Sequence, residues 1–289
     1  MAELIFISIA SYRDPDTQKT IDNLIASADK PQNLRIGVVE QNAPSDRFSV
    51  RSQKPGVLVL RNIEAKGPAW ARYLASTLWS GEEYYLQIDS HMTFIHHWDT
   101  IIIQDINRLR NRRVVLTCYP PASLPDDSTP VSSITQNWNF DHQNHIIAVG
   151  SILPATPGPQ PGVFVSAGFL FFRSQPFLDE IPFDPNLKYL FQGEEILLSA
   201  RLYTHGYTVY HPSRAICSHD YIRQDKPKVW NNNPDFWSNN KVAVRRYRHL
   251  THQLKDVDHP LPNLYGEGYI HTIGEWKKRI KLDPEHLFD

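Results

Sequence analysis

Residues 84–91 of the chain read YYLQIDSH, and this short segment decides the predicted fold. Its first five residues are mostly apolar, and an acid, a serine and a histidine follow at once. A short apolar run predicts a buried strand, so we expect Asp89 and His91 at the carboxyl end of that strand. Ligands bind at this edge of the sheet in open α/β proteins. The segment therefore predicts an α/β fold with a polar site at a strand end.

Strand and helix patterns alternate on both sides of that segment. This alternation predicts parallel strand pairing and a central sheet flanked by helices. The predicted strands cover residues 4–10, 34–40, 57–61, 84–89 and 114–119, and the predicted helices cover residues 17–28, 67–80 and 98–113.

The rest of the chain has a different character. Residues 120–161 are rich in Pro, Ser and Asp, and we expect a functional loop there with one strand at 145–151. The chain has no internal repeat and no clear domain boundary, so we expect one continuous domain over residues 1–289. The further predicted strands cover 163–172, 208–211 and 215–217, and the further helices cover 193–205, 241–254 and 273–280.

The composition argues against several classes of protein. Lys and Arg number 30 against 31 Asp and Glu, a balance that argues against a nucleic-acid partner. Hydrophobic residues make up 41% of the chain, enough for a folded core, yet no stretch approaches the roughly 18 consecutive apolar residues of a transmembrane segment. The first residues lack the positive charge of a signal peptide. Cys118 and Cys217 lack metal or redox spacing, so we expect reduced thiols in a cytoplasmic protein.

Asp89, His91 and His219 are the candidate metal ligands. Residues i and i+2 of an extended strand point the same way, so Asp89 and His91 can converge on one ion. His219 follows another short predicted strand and offers a third ligand. Two imidazoles and one carboxylate suit Mn²⁺ or another borderline divalent ion, with positions left for phosphate oxygens and water. In the alternative interpretation Asp89 caps a turn and His219 is one of 13 histidines without a special task.

Glu194 and Glu195 form a pair of acids in the first turn of a predicted helix. Such acids complement the helix dipole, and that structural role is the common one. If they face a pocket, one of them can instead hold sugar hydroxyls or take part in proton transfer. Gly193 directly before them would let a ligand approach the backbone closely.

Further polar residues follow the first two predicted strands. Ser11, Tyr12 and Arg13 follow the first strand and Gln41 follows the second, on the same sheet edge as the candidate metal ligands. They can read a base by hydrogen bonds, and Tyr12 offers a stacking face. Arg72, near the start of a predicted helix, can neutralise a diphosphate. Ordinary loop chemistry and a surface cation are the alternatives.

Several familiar catalytic strings do not occur in the sequence. It contains no Gly-x-Gly-x-x-Gly, Walker, His-Glu-x-x-His or Gly-x-Ser-x-Gly string. The simplest dinucleotide-binding, nucleotide-hydrolysing, zinc-protease and serine-hydrolase interpretations therefore drop out.

Five segments in order resemble the family of UDP-GlcNAc:polypeptide N-acetylglucosaminyltransferases, whose characterised eukaryotic members modify hydroxyproline on a cytoplasmic ubiquitin-ligase adaptor. The resemblance extends from about residue 3 to about residue 225 and covers most of the chain. The segments are IFISIASYRDPDTQKTI (5–21), GPAWAR (67–72), YYLQIDSHMTFIHHWD (84–99), FDPNLKYLFQGEEILLSARLYTHGYTVYHP (183–212) and SHDYIR (218–223).

The resemblance implies a GT-A fold, a Rossmann-like α/β nucleotide-sugar transferase architecture. Residues 1–119 would form the nucleotide-binding half, and residues 120–289 the sugar and acceptor half. By this likeness Asp89, His91 and His219 would hold Mn²⁺, which bridges the phosphates of UDP and stabilises the departing diphosphate.

The resemblance also assigns the remaining site residues. Glu194 and Glu195 match an acidic pair near the donor sugar and the acceptor, and we expect retention through an oxocarbenium-like transition state. The implied reaction moves GlcNAc from UDP-GlcNAc to a hydroxyl of a protein (hydroxyproline, Ser or Thr) or of a glycan. The residues assigned to the nucleotide sugar are Ser11, Tyr12, Arg13, Gln41, Arg72, Asp89, Ser90 and Gly168.

Three questions stay open at this point. The same Asp and His residues could activate water in a metal-dependent phosphoesterase or hydrolase, and the chain could be a non-catalytic UDP-sugar-binding module. The acceptor is not named by the sequence. Four aromatic residues are candidate stacking platforms for it or, alternatively, anchors of Pro-rich loops: Trp138, Trp230, Phe236 and Trp237.

Overall fold

The computed structural model describes residues 3–51, 56–61, 64–124, 131–140, 146–251 and 263–282. The strands are β1 (Ile5–Ser11), β2 (Leu34–Glu40), β3 (Val57–Arg61), β4 (Tyr84–Asp89), β5 (Met92–Phe94), β6 (Val114–Thr117), β7 (Val131–Phe140), β8 (Ile146–Pro154), β9 (Gln160–Pro161), β10 (Phe169–Arg173), β11 (Thr208–His211) and β12 (Cys217–His219). The helices are α1 (Thr17–Ala26), α2 (Pro68–Ser76), α3 (Trp98–Arg108), α4 (Ser174–Glu180), α5 (Glu194–Thr204), α6 (Val229–Asn232), α7 (Phe236–Leu250) and α8 (Ile273–Arg279).

The central sheet has eight strands in the order β3-β2-β1-β4-β10-β6-β11-β9. The first four strands of this order and the β6–β11 pair are parallel, whereas β10 is antiparallel to both of its neighbours. The strands β5 and β12 form a separate antiparallel pair, and so do β7 and β8. The predicted α/β class, with a mostly parallel sheet and flanking helices, is confirmed.

The residue pattern of β1 explains why the sheet is buried on both faces. Ile5, Ile7 and Ile9 point into one apolar cluster with α1 and α3, and Phe6 points into a second cluster on the opposite face. Both clusters are shielded from water, because all four side chains are at most 1% exposed. A strand covered on both faces is expected to be mostly apolar, and β1 meets that expectation with two buried exceptions, Ser8 and Ser11.

The register of the parallel strands aligns their carboxyl ends. Ser11 pairs with Glu40, and Ala10 pairs with Asp89. The loops after β1, β2 and β4 therefore leave the sheet along one edge, and that edge carries the candidate site.

Three predicted strands differ from the observed ones. The strand predicted over 163–172 is observed only from Phe169, and side chains bind three amides before it. Val165 N donates to Ser199 Oγ, Ser166 N to Thr117 Oγ1, and Ala167 N to Glu195 Oε1. The predicted strand 114–119 ends at residue 117, and the strand expected at 215–217 lies instead at Cys217–His219.

The predicted loop over residues 120–161 contains the β7–β8 hairpin and β9. The segment VSSITQNWNF of β7 has few apolar residues, so its pattern does not indicate a strand. In the predicted strand 145–151, residue 145 lies outside the described part of the chain.

The helices also end earlier than predicted. The helix expected at 98–113 ends at residue 108. The helix expected at 241–254 runs over Phe236–Leu250, and residues 252–254 lie outside the described ranges. No described helix is both long and apolar enough to cross a bilayer.

Candidate active site

The structure brings Asp89, His91 and His219 together at the strand ends. Asp89 ends β4, and the β5–β12 pairing sets His219 opposite Met92, beside the Asp89–His91 loop. One potential ligand atom from each of the three residues lies within 4.8 Å of the others. His219 Nε2 is 3.2 Å from Asp89 Oδ2, and the two imidazole centroids are 4.6 Å apart.

The charge state of Asp89 fits a cation. Burial raises the pKa of Asp89, but the hydrogen bond from His219 and the positive charge of Arg72 outweigh this effect and hold the pKa well below its ordinary value. The carboxylate is therefore ionised, as a metal ligand must be. One carboxylate with two imidazoles is a donor set for Mn²⁺ and similar ions. Among the described residues this is the only such cluster.

Asp14 fixes the orientation of His91. Its Oδ2 lies 2.8 Å from His91 Nδ1 and accepts the Ser90 hydroxyl at 2.6 Å, while its Oδ1 pairs with Arg223 at 2.8 Å. Burial raises the pKa of Asp14, but the hydrogen bonds from His91, Ser90 and the Asp16 amide more than reverse this, so the carboxyl is ionised. With Nδ1 held in this way, His91 keeps Nε2 for a ligand, as metal-binding histidines do.

Arg72 lies between two acids of the site. From α2 its guanidinium donates to Glu194 Oε2 at 2.5 Å and to Asp89 Oδ1 at 3.2 Å, and the side chain is only 5% exposed. Burial lowers the pKa of Arg72, but the charges of Glu194 and Asp89 together raise it by more than this. The pKa therefore lies above its ordinary value. This arginine therefore fixes the distance between the candidate metal site and the start of α5.

Glu195 makes different contacts from its neighbour. Its Oε1 accepts the amide of Ala167 at 2.7 Å, and its Oε2 accepts the hydroxyl of Tyr119. Burial raises the pKa of Glu195 to about 7, an effect that these hydrogen bonds reduce and the charge of Glu194 increases. Burial and the charge of Glu195 also raise the pKa of Tyr119, which therefore remains a donor.

Gly168 lies directly against the candidate metal site. A Cβ atom at this position would be 2.7 Å from Asp89 Oδ2, and the Gly168 carbonyl accepts the Asp89 amide at 3.3 Å. No side chain fits there without displacing the Asp89 carboxylate, so the close approach requires a glycine.

The residues expected at the base divide into two groups. Tyr12 and Gln41 line the cavity, and the Oε1 atom of Gln41 is buried without a hydrogen-bond partner in the described structure. Ser11 and Arg13 do not line it: the Ser11 hydroxyl bonds to Thr17 at 2.7 Å, and the Arg13 guanidinium pairs with Asp46 at 2.8 Å. The side chains of Ser11 and Arg13 thus have protein partners and do not line the cavity, and their assignment to the nucleotide sugar stays a prediction.

The cavity that contains these groups has a volume of about 480 Å³. Its other walls combine apolar and aromatic side chains with polar and charged ones such as Arg223 and Lys228. The rings of Phe191 and Trp230 lie 4.5 Å apart at one side. The predicted site residues on its lining are Tyr12, Gln41, Arg72, Asp89, Ser90, His91, Gly168, Glu194, Glu195 and His219.

The four aromatic candidates for acceptor stacking also separate. Phe236 is fully buried, and Trp138 is half-buried with its indole N–H bonded to Ile280 O at 2.7 Å, so these two anchor the surrounding loops. Trp230 lines the cavity, and Trp237 is 51% exposed.

The sequence did not assign Asp14 or Tyr119 to the site. Asp14 belongs to the quoted string SYRD, but the string does not reveal that His91, 77 positions along the chain, is its partner. Tyr119 is the last residue of the strand predicted over 114–119, and this position at a strand end was the one available signal.

The architecture and the strand-end site define a glycosyltransferase of the GT-A fold class. The crystal structure of GalNAc-T7 with UDP, GalNAc and Mn²⁺ is similar at a TM-score of 0.62 and 14% identity, over 97% of this chain and 55% of that one. The crystal structure of S. aureus TarS 1–349 is similar at a TM-score of 0.52 and 14% identity, over 87% of this chain and 75% of that one. Its complex with UDP-GlcNAc is similar at a TM-score of 0.53 and 12% identity, over 96% of this chain and 72% of that one. The chain thus spans about half of the GalNAc-T7 chain.

The family is shown by a match to the sequence model for glycosyltransferase (GlcNAc), which covers residues 4–57 and 50–286. The chain belongs to this family of glycosyltransferases. No curated protein sequence matches it.

Proposed function

We propose that the protein is a metal-dependent transferase that moves GlcNAc from UDP-GlcNAc to a hydroxyl group. The observation that carries this proposal is the convergence of Asp89, His91 and His219 in a cavity of about 480 Å³, in a chain of the glycosyltransferase (GlcNAc) family. The membership supports the sugar, and the ligand set supports the metal.

The proposed metal is Mn²⁺. The ionised Asp89 and the two imidazoles suit it, and the similar GalNAc-T7 structure contains Mn²⁺ together with UDP. The bound ion would supply a Lewis acid for the diphosphate that leaves the sugar. The chain's own contribution is to keep Asp89 charged and to hold the imidazole of His91 through Asp14.

The proposed donor is UDP-GlcNAc, as in the similar TarS complex. We assign Tyr12 and Gln41 to the uracil base, because the unpartnered Gln41 Oε1 can accept a base N–H. Arg72 lies beside Asp89 and would add positive charge near the diphosphate. Ser90 and Gly168 line the same end of the cavity and would contact the sugar-phosphate part of the donor.

The proposed catalytic carboxylate belongs to the Glu194–Glu195 pair, where donor sugar and acceptor would meet. We further propose retention of the anomeric configuration, on the resemblance to retaining transferases. Arg72 and Tyr119 hold the two carboxylates in place before the substrate arrives. Such preorganised charge lowers the cost of forming an oxocarbenium-like transition state.

The proposed acceptor is a hydroxyl of a protein (hydroxyproline, Ser or Thr) or of a glycan. Phe191 and Trp230 at the cavity and the exposed Trp237 offer apolar faces to such an acceptor. A cytoplasmic location and a single domain over residues 1–289 complete the proposal. Two buried, unbonded cysteines, Cys118 and Cys217, are consistent with a reducing compartment.

The test is UDP release from a panel of UDP-sugars with and without Mn²⁺, together with calorimetry of UDP binding. The wild type is expected to turn over UDP-GlcNAc in preference to UDP-GalNAc and UDP-glucose, and only with metal. Asp89→Asn is expected to abolish both signals, whereas Asp179→Asn, an exposed acid of α4, should change neither. If Asp89→Asn still releases UDP from UDP-GlcNAc and still binds UDP as the wild type does, the proposal is contradicted.

Further assays on the same protein separate the two alternatives. Turnover of phosphodiesters such as nitrophenyl phosphate esters, without an acceptor, would indicate a hydrolase. Tight UDP binding with no turnover of any UDP-sugar would indicate a binding module. The anomeric proton coupling of the product, measured by NMR, decides between retention and inversion.

A further inference from the structure

The adjacent glutamates of α5 differ in how their carboxylates are used. Both oxygens of Glu195 already have protein donors, the Ala167 amide at 2.7 Å and the Tyr119 hydroxyl. Glu194 gives only Oε2 to Arg72, and no group of the described chain donates to its Oε1. Since both residues line the cavity, Glu194 is the one with an acceptor oxygen left for a substrate.

The contact between Glu195 and Ala167 fixes the turn of residues 166–168. The turn is held on its other sides as well: Thr117 Oγ1 binds Ser166 N at 2.8 Å, and Gln87 Nε2 binds Ala167 O at 2.6 Å. Glu195 supplies the bond to the Ala167 amide from α5. The turn is therefore held from both the sheet and the helix.

The position of this turn matters because Gly168 is in contact with Asp89. A Cβ at Gly168 would lie 2.7 Å from Asp89 Oδ2, which leaves little free space between the turn and the candidate metal ligand. A small shift of the turn therefore changes the room available to a metal-bound diphosphate and its sugar.

We propose that the pair divides its work: Glu194 is the catalytic residue, and Glu195 is a positioning residue that holds the 166–168 turn against Asp89 with the help of Tyr119. This inference rests on the proposed function for the part played by Glu194. The part played by Glu195 is a statement about the geometry of the chain and can be tested without turnover.

Positioning by Glu195 does not need its negative charge. Burial raises the pKa of this carboxyl to about 7, so the neutral form is well populated at neutral pH. A glutamine can accept the Ala167 amide through Oε1 and donate to the Tyr119 oxygen through Nε2. Glu195→Gln is therefore a conservative variant that keeps both contacts, whereas Glu195→Ala and Tyr119→Phe remove contacts.

The kinetic experiment compares these variants with Glu194→Gln. Glu195→Gln is expected to change kcat and donor KM by less than about threefold. Glu195→Ala and Tyr119→Phe are expected to weaken UDP binding in the presence of Mn²⁺ by about tenfold and to raise donor KM similarly. Glu194→Gln is expected to lower kcat by about 100-fold or more with UDP binding unchanged. Asp179→Asn, at the exposed acid of α4, serves as the surface control.

Two results would overturn the inference. One is a Glu195→Gln variant that loses kcat about 100-fold while it binds UDP normally, because the charge of Glu195 would then act in the reaction. The other is a crystal structure of Glu195→Ala in which residues 166–168 have not moved relative to Asp89. The crystal structure decides the positioning role even if the wild type transfers no sugar, so failure of the proposed function remains distinguishable.

Discussion

Replacing Glu195 by Gln is expected to change the pH dependence of stability. The free energy of unfolding of the variant, minus that of the wild type, should be larger at pH 8 than at pH 5. In the folded chain burial raises the pKa of the Glu195 carboxyl to about 7, whereas an unperturbed Glu has a pKa of 4.5. The folded state therefore keeps a proton that the unfolded state has released over this pH interval.

The sign and size follow from this difference in proton binding. Stability falls with rising pH wherever the folded state binds more protons, so the wild type loses stability between about pH 4.5 and pH 7. At about 1.4 kcal/mol for each pH unit, the total loss is about 3 kcal/mol, and it is complete above the folded pKa. Glutamine does not titrate, so the variant escapes this loss.

Urea denaturation of both proteins at several pH values measures the effect. The stability of Glu195→Gln minus that of the wild type is expected to increase by about 2 to 3 kcal/mol between pH 5 and pH 8. Omitting metal removes the separate pH dependence of metal binding. Groups that titrate in both proteins cancel in the difference. If the difference in the free energy of unfolding stays constant between pH 5 and pH 8, the raised pKa of the buried Glu195 carboxyl is refuted.

Three further perturbations address the metal site and its surroundings. Asp14→Asn is expected to weaken Mn²⁺ binding about 10- to 100-fold in calorimetry, because a ligand imidazole loses its carboxylate partner. Gly168→Ala is expected to weaken Mn²⁺ binding at least about tenfold by displacing Asp89, whereas Gly158→Ala, whose Cβ would have 4.0 Å of clearance, should not. Arg72→Met is expected to cost about 3 kcal/mol in urea unfolding, since two half-buried carboxylates lose their shared cation, and an unchanged midpoint would contradict this.

The sequence predicted the fold of residues 1–119 well because most of the strands there are compact apolar runs. β1, β2 and β4 lie within a residue of their predicted positions, and their parallel order follows from the helices between them. The candidate ligands were found by the same reasoning, since Asp89 and His91 sit where an apolar run stops.

The remaining features depend on contacts between distant residues. The apolar run over 163–172 indicates a buried strand but contains no information about direction or about side chains that bind its amides. The imidazole of His91 finds Asp14, and Glu195 finds Tyr119, only after the sheet has formed. The two glutamates look identical in the sequence and differ only through these partners.

The antiparallel strand β10 has a consequence for how such a chain can diversify. Because β10 is antiparallel to its neighbours, its first residue lies at the sheet edge where β4 ends. Residues 166–168, which precede β10 in the chain, therefore lie at the candidate site. Chain length upstream, between β6 and β10, can therefore change while the register of β3, β2, β1 and β4 stays as it is. The architecture thus combines one wall that the parallel strands hold in register with a second wall whose length is free to vary; under the proposed function, the first would face the nucleotide and the second the acceptor.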